Sequence, residues 1–158
     1  MYGIALSVAA CLRGGTRVDV AWSLDPEQVP TFDPTDAVAI TPGGGRLGSL
    51  LGGALDSRLV ELSLTGANEA RVVTCELDGI ESSALGVPQG TVVRIVFAPA
   101  EVLPDEMWEP LLEREPVAIV AAKENDRLSE IRFVAPQGST GFSLDDEQLS
   151  ANWAPTPS

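Results

Sequence analysis

The chain has 158 residues, with 10 Lys and Arg against 23 Asp and Glu, so its formal charge is −13. That length suits one domain with a real core, and that charge excludes phosphate backbones and anionic membrane surfaces as default partners. The chain has no histidine, which excludes a His general base, a Ser-His-Asp triad and a His-ligated zinc.

Residues 4–12 are apolar, with Val8 the one β-branched residue between Ile4 and Cys11. They read as a buried strand or a short helix, and we take the strand, paired through Gly14-Gly15 with the alternating residues 17–22 as a hairpin. Residues 25–36 hold Pro26, Pro30 and Pro34 and read as an exposed loop. Residues 37–41 make a short buried strand, broken by Pro42-Gly43-Gly44-Gly45, and Arg46-Leu47-Gly48 returns as another. Leu51, Leu55, Leu59 and Leu62 then fall on one helical face, with Ser49 as candidate N-cap and Gly66 as stop. Strands follow at 71–76 and 91–98, joined through a turn at 86–90.

Pro104 opens a short helix whose first turn is acidic, and Pro110 keeps it short or kinked. Residues 117–122 read as a strand buried on both faces and 128–135 as an alternating strand. Ser143-Leu144-Asp145-Asp146 has the form of a capping box before a last weak helix. Residues 154–158 have a linker's composition. The expectation is a single α/β domain over residues 1–136, with a mixed β-sheet of about six or seven strands and two or three helices, then a C-terminal extension or linker over 137–158. No basic residue precedes the N-terminal apolar run and no uncharged apolar stretch is long enough to span a bilayer. The expected setting is cytoplasmic.

The glycine segment is the most informative stretch. Gly43, Gly45 and Gly48 satisfy G-x-G-x-x-G, but a dinucleotide fingerprint needs a helix to open inside the triplet and an acidic residue about 20 positions on. Both are missing here. A phosphate loop fails too, because Ser49 stands where the lysine must be. Gly52-Gly53 precedes the helix. Glycine costs about 1 kcal/mol inside a helix, so the pair marks either an anion-binding nest of backbone N–H groups or a tight strand-to-helix turn. Arg46 is either the partner of an anionic ligand or the ion-pair partner of Asp36 or Asp56. Asp56 either bonds a ligand or serves the first helical turn.

Residues 37–41 and the run Gly45-Arg46-Leu47-Gly48-Ser49-Leu50-Leu51-Gly52-Gly53-Ala54-Leu55-Asp56 resemble the N-terminal domain of the XdhC/CoxI family. Leu85-Gly86-Val87-Pro88-Gln89-Gly90 before Val92 and Pro116-Val117-Ala118-Ile119-Val120 extend the likeness. The resemblance implies an accessory factor in the maturation of molybdenum hydroxylases of the xanthine dehydrogenase or carbon monoxide dehydrogenase type. It implies the molybdenum cofactor, molybdopterin, as ligand. It places the cofactor-binding residues at Arg46, Gly48, Ser49, Gly52, Gly53, Asp56, Gln89 and Gly90. The implied partners are a hydroxylase subunit, a sulfurtransferase and a second copy of the chain. No catalytic residue and no metal ligand is assigned. Ala54 stands where the family has a cysteine, Asp56 where it has glutamate, and Gln89 where the second motif has its cysteine. Thiolates are the soft ligands suited to molybdenum or to carrying sulfur, so the expectation is a binding role and not an enzymatic one. The alternative is an interaction module that kept the fold and lost the ligand.

The two cysteines, Cys11 and Cys75, read as buried thiols or as a single disulfide. The acidic run Glu101, Asp105, Glu106, Glu109, Glu113 and Glu115, opposed only by Arg114, reads as a solvated face or as a surface that steers a basic partner. Trp108 within it reads as a core anchor or an interface residue.

Overall fold

A computed structural model describes residues 1–66 and 68–155. Among the described residues nine strands form one sheet in the order β3-β2-β1-β5-β4-β7-β6-β9-β8. Their ranges are β1 Asp19–Ser23, β2 Ala37–Ile40, β3 Arg46–Gly48, β4 Ala70–Glu76, β5 Val92–Pro99, β6 Val117–Glu124, β7 Arg127–Val134, β8 Gly141–Leu144 and β9 Gln148–Trp153. Every described pairing is antiparallel, so the sheet is not mixed and holds more strands than expected. Four α-helices pack on it among the described residues: α1 Ala5–Arg13, α2 Asp56–Leu64, α3 Gly79–Leu85 and α4 Trp108–Leu112.

The first element differs from the expectation. A 3-10 turn over Tyr2–Ile4 leads into α1, so residues 4–12 are helical and make no hairpin with β1. The run is rich in alanine and leucine, which favour helix, and it buries Ile4, Ala5 and Val8 on one stripe. β1 pairs with β2 and β5 instead.

The C-terminal region differs more. Of residues 137–158, expected as an extension or linker, 156–158 lie outside the described residues; the described part carries β8 and β9, and β9 pairs with β6 from Val117↔Trp153 to Ala122↔Gln148. The capping-box pattern at 143–146 lies in the β8–β9 hairpin, with the Asp145 carboxylate accepting from the N–H groups of Glu147 and Gln148. No helix forms there because the chain alternates, with Leu149, Ala151 and Trp153 buried. The Trp153 ring meets Trp22 of β1 edge-on at 5.1 Å.

The sheet has two apolar faces. One carries Val8, Trp22, Met107, Trp108, Ile119 and Trp153 beneath α1 and α4. The other carries Ile40, Leu55, Leu59, Cys75, Ile95 and Phe97 beneath α2 and α3. That second face is covered only over the β3-to-β4 half. Beyond it Val120, Arg132, Gln148, Ser150 and Asn152 line an open depression of about 660 Å³. Cys11 packs against the first cluster and Cys75 lies in the second, and both are free thiols, so they form no disulfide. Trp108 is a core anchor, 4% exposed. No helix among the described residues is long and apolar enough to cross a membrane.

Candidate functional site

β2 and β3 form the expected hairpin, with Thr41 N–H donating to the Gly45 carbonyl at its tip. Gly43 and Gly45 therefore belong to a hairpin tip, and no helix opens at Gly48. The backbone between β3 and α2 turns through the left-handed region at Leu51, Gly52 and Gly53, with φ of 50°, 61° and 86°. The Gly53 and Ala54 N–H groups donate to the Leu50 and Leu51 carbonyls. Those two donors close the turn on itself. α2 starts at Asp56 and not at the expected Ser49 cap, because the left-handed run cannot continue into a helix. Ser49 is exposed. Leu51, Leu55 and Leu59 are all buried, but Leu51 lies in the left-handed turn before the helix and Leu55 at its N-cap, so the predicted helical face is shorter than its spacing suggests.

Arg46 pairs with Asp56, Nη1 to Oδ2 at 3.4 Å, with the arginine side chain about half exposed. The Asp56 carboxylate also lies over the turn: a Cβ on Gly53 would sit 3.2 Å from Oδ2. Arg46, Gly53 and Asp56 thus form one cluster. Gly52 faces the loop before β2, where a Cβ would lie 3.0 Å from the Phe32 ring. Gly48 serves the fold, since a Cβ there would meet Ile4 Cγ2 at 2.5 Å and the Ala37 carbonyl at 2.7 Å.

Gln89 and Gly90 lie in the turn before β5, both exposed. Traced through β2 and β1, Gly48 at the end of β3 lies level with Phe97 of β5, well along that strand from this turn and three strands away in the sheet order. Gln89 lies against Gly79 at the start of α3, and Gly90 lies beside Glu76. Arg58, the third residue of α2, ties that helix to α3 and β4. Its Nε and Nη2 bond both carboxylate oxygens of Glu81 at 2.7 and 2.6 Å, and Nη2 also donates to the Glu76 carbonyl at 2.8 Å. Arg58 hydrogen bonds hold the Glu81 carboxyl below its usual range. Burial pushes the Cys75 thiol up, with Arg58 opposing it.

The loop over residues 25–36 is a strap across this end. Asp25 accepts from the Arg94 backbone N–H and takes a bidentate bond from its guanidinium. At the other end the α-amino group of Met1 donates to the Thr35 carbonyl. Phe32 and the Arg58–Glu81 pair were not singled out in the sequence. Asp78-x-x-Glu81 is the signal for α3, since both halves of its capping box form. Phe32 sits in a proline-rich loop with no periodicity to mark it.

The fold behind this site is a nine-stranded antiparallel sheet with helices on both faces and a glycine turn at one end. No profile of a known protein family matches the sequence. In three dimensions the chain is similar to a xanthine dehydrogenase crystal structure from Bacillus halodurans, with a TM-score of 0.63 at 14% identity. The overlay takes in 96% of this chain and 53% of that one, and at this identity it shows a shared fold. In sequence the chain is 30% identical over 131 residues to the Delta(1)-pyrroline-2-carboxylate reductase of Ancylobacter novellus. That alignment covers 80% of this chain and 37% of the reductase, so the chain spans little more than a third of that relative's length.

Proposed function

We propose that this chain is a cofactor-handling accessory domain for molybdenum hydroxylases, holding the organic part of the molybdenum cofactor at the Gly52–Gly53 turn. The observation that carries the reading is the cluster at that turn. Three successive left-handed residues, the Arg46 guanidinium and the Asp56 carboxylate meet where the XdhC/CoxI resemblance places a ligand. The shared fold with a xanthine dehydrogenase chain supports the same context.

The residues fit one part of the cofactor and not the other. A guanidinium about half exposed suits a phosphate, a carboxylate suits the N–H groups of a pterin ring, and backbone without a Cβ lets a ligand approach closely. Metal ligation does not fit. Cys75 is 2% exposed, and Cys11 packs on the opposite face of the sheet. When bound, the cofactor would supply a redox-active molybdenum to the enzyme that receives it. This chain's residues bind it, orient it and release it.

The reading predicts saturable binding of molybdopterin to the purified protein, weakened about tenfold by Gly53→Val, whose side chain would fill the approach to the turn. Binding unchanged in Gly53→Val would remove the turn from the site. The second reading, an interaction module without ligand, draws on the Arg46–Asp56 pair, in which the guanidinium already has a carboxylate partner. Absence of any pterin binding to folded protein would favour it.

A further inference from the structure

The acidic run is not used by the glycine site, and the fold places it beside apolar side chains that nothing covers. Glu109 lies on α4, Glu113 and Glu115 directly follow it, and all three are exposed. Leu112, the last residue of α4, is 41% exposed, and Leu6 on α1 is 68% exposed. Tyr2 ties the two elements together. Its hydroxyl donates to the Glu115 carbonyl at 2.8 Å, and its ring lies 5.8 Å from the Arg114 guanidinium. Leu6 lies on α1, which packs against α4. This helix pair therefore carries two exposed leucines together with three exposed carboxylates.

Two of these carboxylates repel each other. Glu113 and Glu115 approach closely enough that a hydrogen bond and the neighbouring charge raise the Glu113 pKa. Arg114, between them, is turned back over Tyr2 with φ of 57°. A partner that brings cations would relieve this repulsion and cover the leucines in one step.

We infer that the outer face of α1 and α4 is a docking surface for a lysine- or arginine-rich amphipathic segment of another protein, with an apolar side chain seated against Leu6 and Leu112. Charge complementarity selects this occupant. A second copy of the chain brings a charge of −13, and an anionic lipid surface repels the same carboxylates. The inference does not depend on the cofactor reading.

The test uses the whole chain and a fluorescein-labelled lysine–leucine amphipathic peptide of about 14 residues. Fluorescence anisotropy should show saturable binding that weakens about tenfold or more as salt rises from about 50 to about 300 mM. Leu6→Ser, and separately the pair Glu109→Lys with Glu113→Lys, should each weaken it about tenfold at low salt. The same charge change placed elsewhere, Glu61→Lys with Glu124→Lys, should leave it within about twofold. Near-ultraviolet circular dichroism confirms that each variant is folded. The inference is overturned if the peptide does not saturate, if an all-lysine peptide binds as tightly, or if the control pair weakens binding as much as the Glu109 and Glu113 pair.

Discussion

Replacing Gly52 by alanine probes the packing that shapes the glycine turn. Gly52 has φ of 61° and ψ of 16°, a conformation in which an L side chain costs about 1 kcal/mol or more. The new Cβ would also lie 3.0 and 3.2 Å from two atoms of the Phe32 ring. Carbon atoms prefer about 3.5–4.0 Å, so the ring must retreat by roughly half an ångström. Overpacking costs about 1–3 kcal/mol, and a half-buried Phe32 belongs at the low end of that range. The sum is about 2–3 kcal/mol, and at about 2–4 °C per kcal/mol for a chain of this length the melting temperature should fall by about 4–12 °C. Urea unfolding of the wild type, Gly52→Ala, Phe32→Ala and the double variant separates the parts. The steric share should vanish in the Phe32→Ala background, leaving about 1 kcal/mol of favourable coupling between the two changes. A neutral Gly52→Ala, or strict additivity in the cycle, would refute the contact between strap and turn.

Three further predictions follow from the same structure. Truncation after residue 136 should prevent folding, and Trp153→Ala should destabilise by about 3–5 kcal/mol in chemical unfolding, because β9 pairs with β6 and Trp153 is fully buried against Trp22. Glu81→Gln should cost about 1.5–3 kcal/mol at neutral pH by removing charge-assisted bonds. The pKa of Glu81 lies below its ordinary value of 4.5 in the folded chain, so the pair's stabilisation is complete above that value and is lost as pH falls through the lower, folded one. Stability curves of wild type and variant should therefore converge below pH 4.5, and parallel curves would contradict the pairing. A thiol reagent should label half-buried Cys11 in the native protein and reach Cys75 only in denaturant, since burial both hides that thiol and suppresses its thiolate. Two fast thiols would contradict the burial.

The sequence revealed most where one period dominated. The leucine spacing marked the buried side of α2 and of the turn before it, and the β-branched run marked β5. It misled where composition and pattern pulled apart. Residues 4–12 look like a strand by apolar content, yet alanine and leucine decide for helix. The hairpin of β8 and β9 was hidden behind Asp145-Asp146, which serves a turn as readily as a helix cap. Only the alternation of Leu149, Ala151 and Trp153 distinguishes the two, and it covers few residues. The mixed-sheet expectation failed because strand order and direction depend on long-range pairing that local pattern does not encode. At the candidate site, the left-handed turn and the Arg46–Asp56 alternative were both visible in the sequence. Phe32 on Gly52 was not, because contact across a loop leaves no trace in spacing.

The most direct test is the affinity for molybdopterin of wild type, Arg46→Ala and Asp56→Asn, measured side by side. Arg46 and Asp56 pair on a surface where ion pairs contribute about 0–1 kcal/mol, so both variants should stay folded. If Arg46 meets the phosphate and Asp56 the pterin N–H groups, Arg46→Ala and Asp56→Asn should each weaken binding about tenfold, the amide having lost one acceptor and the charge. Equal affinities in all three proteins, or no saturable binding in any, would contradict a cofactor site at the glycine turn.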